Sequence, residues 1–206
     1  MAKIGIFGGT FNPVHTGHMQ MAEYVMKSVA VDKIIFVPNG NPPHKTDKLV
    51  ADAKHRYNML QLAIGTNENY EVSDYEISKP GPCYTVDTMR HFRKENPNDT
   101  FYFIIGADSL DYIDRWMDAQ SLIAENEFVV INRNFKENYN IDKNIEYILT
   151  LGGKLKKVDM PAVDVSSSQI RAMIQNGEDI GSLTGQKVKE YILTNKLYFG
   201  RNTNDD

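Results

Sequence analysis

Six short apolar runs punctuate this chain, at Lys3 to Phe7, Lys33 to Pro38, Glu71 to Ile77, Thr100 to Ile105, Glu127 to Asn132 and Leu155 to Asp159. Most are continuous rather than alternating, as strands buried on both faces are. Between them apolar residues recur at helical spacing: Ala22, Val25, Met26 and Val29 form one stripe after Gly17, and Tyr57, Leu60, Ala63 and Ile64 form another. Further helices are expected over Thr85 to Lys94 and Asn144 to Leu151, the second ending at Gly152-Gly153. Strands alternating with helices specify an α/β fold, a Rossmann-like doubly wound parallel sheet with helices on both faces. Ligands then bind beyond the carboxyl ends of the strands, at the switch point.

A length of 206 residues suits one domain, expected over residues 1–199, with the polar stretch Gly200 to Asp206 as a disordered tail. The net charge of -4 provides no basic field to hold a nucleic acid backbone, so any phosphate binding must be local. A single cysteine, Cys83, excludes an internal disulfide framework and a cysteine-built zinc site. No apolar run is long enough to span a membrane, and Met1-Ala2-Lys3 leads straight into a strand, so a cytoplasmic protein is expected. The oligomeric state is left open, with room for a homo-oligomer. The longest irregular segment, Asn39 to Asp52, leaves the second strand at the edge where functional loops collect.

One stretch carries chemistry. Gly8-Gly9-Thr10-Phe11-Asn12-Pro13-Val14-His15-Thr16-Gly17-His18 follows the first strand directly. Two glycines let the backbone pass close to something bulky, and two imidazoles stand where a helix begins. The first N–H groups of a helix have no partner within it, and its dipole places positive charge there, so an anion such as a phosphate fits. A zinc pair is the weaker reading of His15 and His18, because no acidic or thiol ligand stands close by in the sequence.

These residues resemble the signature G-x-F-x-P-x-H-x-G-H of the nucleotidyltransferase superfamily, which moves nucleotidyl groups from ATP or CTP onto phosphorylated acceptors. Asn12 is a departure, since many bacterial members carry Asp there. A second segment, Val163-Asp164-Val165-Ser166-Ser167-Ser168-Gln169-Ile170-Arg171, reads by itself as a capped helix start, with Ser166 and Gln169 at capping-box spacing. It is also similar to the superfamily motif I-S-S-T-x-x-R, which grips the triphosphate from the other side. Pro42-Pro43-His44-Lys45, Tyr84-Thr85-Val86-Asp87-Thr88, Ile105-Gly106-Ala107-Asp108-Ser109 and Trp116 narrow the resemblance to the bacterial nicotinate-nucleotide adenylyltransferase family. The likeness runs from Met1 to about Phe199. It departs at Asn134, after Arg133, and at Thr184-Gly185, where Leu-Pro is usual.

The resemblance implies transfer of AMP from ATP to nicotinate mononucleotide. A phosphate monoester is largely a dianion at neutral pH, so this acceptor needs no general base, and no Ser-His-Asp or Cys-His arrangement is evident. By resemblance the catalytic set is His18, His15 and Arg171. ATP would lie against Gly8, Gly9, Thr10, Phe11, His15, His18, Gly106, Asp108, Ser167, Ser168 and Arg171, and the nicotinate nucleotide against His44, Lys45, Thr85 and Trp116. Ordinary readings remain for several of these: Asp108 as a helix cap, Lys45 as a solvated loop lysine, Trp116 as core, Thr85 as a cap. Mg2+ is implied with ATP, held by phosphates and water with no protein ligand. His55 and His91 read as helix-surface residues without a role. Two alternatives stay open, a sibling enzyme adenylating the amide nucleotide or phosphopantetheine, and a non-catalytic ATP sensor.

Overall fold

The computed structural model describes residues 1–40, 50–132 and 141–200. Six strands, β1 Lys3–Gly9, β2 Lys33–Pro38, β3 Tyr70–Val72, β4 Thr100–Gly106, β5 Glu127–Asn132 and β6 Lys154–Asp159, pair in the order β3-β2-β1-β4-β5-β6. Every pairing is parallel. The order reverses at β1, whose chain continues to β2 on one side while β4 lies on the other, so the switch point is the end of β1.

Successive side chains of a strand point to opposite faces, and the sheet interior sorts accordingly. Phe7, Phe36, Tyr102, Ile104, Val129 and Ile131 pack on one face, where helices α1 Thr16–Val29, α2 Ala53–Ile64, α8 Ser167–Gln175 and α10 Gln186–Thr194 cover them. Ile4, Ile6, Val37, Phe103, Phe128 and Val130 pack on the other, beneath α4 Thr85–Glu95, α6 Ala119–Glu125 and α7 Ile141–Thr150. Each fully buried side chain of this size contributes about 1.5–3 kcal/mol by leaving water, which makes the two-sided burial the main source of stability. Short helices α3 Tyr75–Ser78, α5 Ala107–Leu110 and α9 Gly181–Thr184 fill the connections.

The third strand is where the sequence reading fails. An extended run to Ile77 was expected, but the strand stops at Val72 and α3 begins at Tyr75. The Ser73 N–H donates to Phe36 O at 2.9 Å, closing the ladder, and the Tyr75 N–H then takes the Ser73 hydroxyl at 3.2 Å. A local side-chain acceptor outcompetes continued pairing, as serine does at turns. The remaining elements fall within a few residues of expectation. Ser166 caps α8 as its spacing predicts, its hydroxyl accepting from the Gln169 N–H at 3.2 Å.

The Thr184-Gly185 departure is explained by backbone. Gly185 has φ +82°, a value proline cannot reach, so the turn into α10 follows a path that a Leu-Pro pair cannot take. Thr184 is buried there and its hydroxyl donates to Ile180 O at 3.0 Å. His55 and His91 hold structural contacts. His55 Nδ1 lies 2.9 Å from the Tyr191 hydroxyl, joining α2 to α10, and His91 stacks flat on Tyr75 with ring centroids 3.8 Å apart. Arg133 and Asn134, the interior of the Asn39 to Asp52 loop and residues 201–206 lie outside the described residues.

Candidate active site

Two hollows adjoin at the carboxyl end of the central strands. The first, about 180 Å3, is lined by residues that include Gly8, Gly9, Phe11, His18, Gly106 and Asp108. The second, about 260 Å3, has Thr10, Asn39, Glu76, Cys83, Thr85 and Thr88 in its walls. Gly8, Gly9, Phe103, Ser109 and Trp116 belong to both. The β1 glycines are thus the floor over which the hollows communicate. A Cβ on Gly9 would stand 3.0 Å from the Phe11 ring, whereas one on Gly8 would meet Phe103 at an ordinary 3.6 Å. Of these two, Gly9 is the one whose side chain would crowd its neighbour.

The turn after β1 is fixed from several sides. Phe11 adopts φ +48°, uncommon for a residue with a Cβ and costing of order 1–3 kcal/mol. Its ring is wedged among Phe7, Phe36 and His18 with centroids 5.0–6.0 Å away, packing that over-determines the backbone. His15 is the N-cap residue of α1 and is 4% exposed, and its ring lies over that of His18 at 3.8 Å. The His15 N–H donates to His18 Nδ1 at 3.3 Å. An accepting Nδ1 carries no proton, so the His18 ring holds its hydrogen on Nε2 and that atom is a donor. A Cβ on Gly17 would come within 3.0 Å of both His15 Nδ1 and Val165, so this glycine lets the second motif press against the first.

The second motif is fastened to the first by hydrogen bonds. Ser167 Oγ donates to Pro13 O at 2.9 Å and Arg171 Nη1 donates to Asn12 O at 2.9 Å. His15, Ser167, Ser168 and Arg171 stand outside the lining of the two hollows; Ser168 is exposed, its hydroxyl 3.0 Å from that of Ser166. Asn12 is buried, and its side-chain oxygen accepts from the Ala51 N–H at 3.0 Å, a bond an Asp carboxylate would also make.

The other candidates divide between the hollows. Gly106 and Asp108 line the first, with Gly106 as the N-cap residue of α5 and Asp108 within its first turn, so Asp108 is not the cap. Thr85 is the first residue of α4 and faces the second, and Thr10, expected on the nucleotide side, lines that one too. Trp116 rests edge-on against Phe103, centroids 6.0 Å apart, yet is only half-buried and borders both hollows, so it is no plain core residue. His44 and Lys45 lie outside the described residues.

Sequence reasoning missed two buried charges. Arg56 is 1% exposed and donates to Ala51 O, Thr10 O, Asn39 O and Gly40 O at 2.6–3.0 Å. Burial pulls its guanidinium below the ordinary value, though an arginine stays charged. Its position one helical turn before Met59 and Leu60 set it on the apolar face of α2, a signal that was legible. Glu76 is 7% exposed; burial pushes its carboxyl up, opposed by a 2.7 Å hydrogen bond from Thr88 Oγ1 and by the Gly40 N–H. No spacing in the sequence signals it.

A parallel sheet reversing at β1, a glycine turn beneath two joined hollows and a helix start carrying two imidazoles in contact define a nucleotide-binding α/β protein of the nucleotidyltransferase type. The Cytidylyltransferase-like family profile matches residues 6–173. Relatives called probable nicotinate-nucleotide adenylyltransferase, from Clostridium tetani and Thermoanaerobacter sp., are 41% and 42% identical, covering 96% and 95% of this chain and 100% and 94% of theirs. Plasmodium falciparum nicotinic acid mononucleotide adenylyltransferase complexed with NaAD superposes with a TM-score of 0.80 at 25% identity, covering 96% of this chain and 98% of that one. Its complex with APC gives 0.78. The chain belongs to the cytidylyltransferase-like family, in its nicotinate-nucleotide adenylyltransferase branch. Among the described residues no helix is long and apolar enough to cross a membrane.

Proposed function

We propose that this chain transfers the adenylyl group of ATP to nicotinate mononucleotide, giving nicotinate adenine dinucleotide and pyrophosphate. The observation that carries this reading is the pair of hollows meeting over Gly8 and Gly9, with His18 and Asp108 on one side and Thr85 on the other. Two substrates laid in them meet at the glycine floor, and the relative complexed with NaAD supports the same pairing.

In this assignment an acceptor phosphate oxygen attacks the α-phosphorus, the bond to the bridging oxygen breaks, and pyrophosphate leaves with the electron pair. Positioning and charge stabilisation supply the acceleration. His18 Nε2, the protonated ring atom, donates to the oxygen on which charge grows, and His15 keeps that ring oriented. Gly8, Gly9 and Phe11 carry the nucleotide, Gly106 and Asp108 take the adenosine end, and the α8 start with Ser167, Ser168 and Arg171 holds the outer phosphates. Thr85, opening α4, offers its hydroxyl and a helix-terminal N–H to the nicotinate carboxylate, and Trp116 stacks on the pyridine ring. His44 and Lys45 are assigned to the acceptor phosphate by family likeness alone. Mg2+ arrives with the triphosphate. By family likeness the ion is assigned to phosphate oxygens and water, with no protein ligand named for it.

Pyrophosphate release from ATP, measured with nicotinate mononucleotide, its amide and phosphopantetheine in parallel, tests the assignment. Release is expected to be fastest with the acid. Preference for the amide or phosphopantetheine would move the chain to a sibling activity, and no release with any of them would leave a nucleotide sensor.

A further inference from the structure

Gly40, where the chain leaves β2 for the acceptor side, is gripped from three directions. Its carbonyl accepts from Arg56 Nη2 at 3.0 Å, its N–H donates to the Glu76 carboxylate, and a Cβ placed on it would lie 2.2 Å from Glu76 O. The two ionisable groups that flank this peptide are both buried and form no direct ion pair with each other; Arg56 works through backbone carbonyls, Glu76 through the Gly40 N–H and the Thr88 hydroxyl.

What they connect is the wall of the second hollow. Arg56 reaches four carbonyls in three segments: Thr10 after β1, Asn39 and Gly40 after β2, and Ala51 before α2. The Ala51 N–H is meanwhile held by Asn12, so that residue is pinned through both its N–H and its carbonyl. Glu76, on α3, accepts from Thr88 Oγ1 on α4, three residues beyond Thr85. Thr10, Asn39, Glu76, Thr85 and Thr88 all line that hollow. Burying a cation without a carboxylate partner costs several kcal/mol that apolar packing would spare, and removing one partner of such a set leaves the others unsatisfied.

We propose that Arg56 and Glu76 are positioning residues for the acceptor, a clamp on the Gly40 peptide that sets the shape of the second hollow. The inference rests on the reading above that this hollow takes the pyridine nucleotide. Neither side chain touches the reacting atoms; both act through Gly40, Thr10 and Thr88. The first hollow shares only the glycine floor, Phe103, Ser109 and Trp116 with the second, so the effect is directional.

Steady-state kinetics of Glu76→Gln and Arg56→Lys, with ATP and nicotinate mononucleotide varied separately, test it. Glutamine keeps the shape of Glu76 but cannot accept on both terminal atoms; lysine keeps the charge of Arg56 but cannot reach four carbonyls. The KM for the acceptor is expected to rise ~10-fold in each variant, the size of a lost charge-assisted hydrogen bond felt in binding, with the KM for ATP within ~2-fold of wild type. An unchanged acceptor KM in folded Glu76→Gln overturns the clamp, as does an equal rise in both KM values. Should Arg56→Lys not fold, Glu76→Gln decides alone. Wild-type enzyme inactive with nicotinate mononucleotide would instead sink the functional reading, so the two failures are distinct.

Discussion

The nucleotide side of the cleft comes almost wholly from two short stretches, Phe7 to Met21 around the first motif and Phe103 to Ser109 around the end of β4 and the start of α5. Along the acceptor side, Asn39, Glu76, Thr85 and Trp116 come from four separate segments. The first wall is shaped by backbone: a packed Phe11 at positive φ, a glycine lying close under the Phe11 ring, and a helix start. The second is shaped by side chains that hold distant backbones in register, chiefly Arg56 and Glu76. A contiguous motif tolerates no insertion but needs little support. An assembled wall can vary in composition while depending on buried polar groups that are expensive to leave half-satisfied.

The largest effect is expected on the first wall. His18→Ala should lower kcat ~100- to 1,000-fold with little change in the KM for ATP, since a preorganised donor to developing charge acts mainly in the transition state. Rapid-quench measurement of adenylyl transfer checks this. A loss appearing wholly as weaker ATP binding would make His18 a ground-state contact and erase the contrast in roles between the walls.

Next comes Trp116, one of the residues the walls share. Trp116→Ala should raise the acceptor KM ~10-fold, within the range of about 1–3 kcal/mol for losing an aromatic platform under a base, and leave the ATP KM nearly unmoved. Because Trp116 borders both hollows, an equal rise for both substrates would show it to be a common partition.

A smaller change is expected at Ser166→Ala. Removing a cap that accepts from the Gln169 N–H should cost about 1 kcal/mol of stability, read by calorimetry as a Tm lower by ~2–4 °C, with activity kept near wild type. A large rise in the ATP KM would mean that the α8 start reaches the triphosphate by its geometry and that its distance from the hollow closes on binding.

The contrast also accounts for what could be read from sequence. The fold was legible because burial on both faces of a parallel sheet prints continuous apolar runs, and the stripes Ala22-Val25-Val29 and Leu60-Ile64 face the core as their spacing requires. The glycine-histidine turn was legible for the same local reason, whereas the fastening of Arg171 and Ser167 to it by hydrogen bonds to Asn12 and Pro13 was not, because it joins segments more than 150 residues apart. The third strand misled because Ser73 diverts the backbone, an effect of one hydroxyl rather than of periodicity. Glu76 and Thr88, twelve residues apart, meet only in three dimensions, and nothing in either segment alone announces the contact.

The least conspicuous effect separates the two walls by pH. Burial raises the Glu76 carboxyl above its ordinary value of 4.5, so the folded protein keeps this proton over a window in which the unfolded chain has released it. The native state then binds more protons than the unfolded state, and stability from this group falls as pH rises from about 4.5 through the raised value. Glutamine at the position does not titrate. The Tm of Glu76→Gln minus that of wild type should therefore shift toward the variant across the window and level off above it, when followed from about pH 4 to about pH 8. A difference that stays flat, or shifts toward wild type, would mean that Thr88, the Gly40 N–H and the field of Arg56 outweigh burial and keep the carboxylate ionised. In that event the acceptor wall would be ordered by a fixed charge balanced against Arg56, and its dependence on a complete polar network would be stronger than burial alone requires.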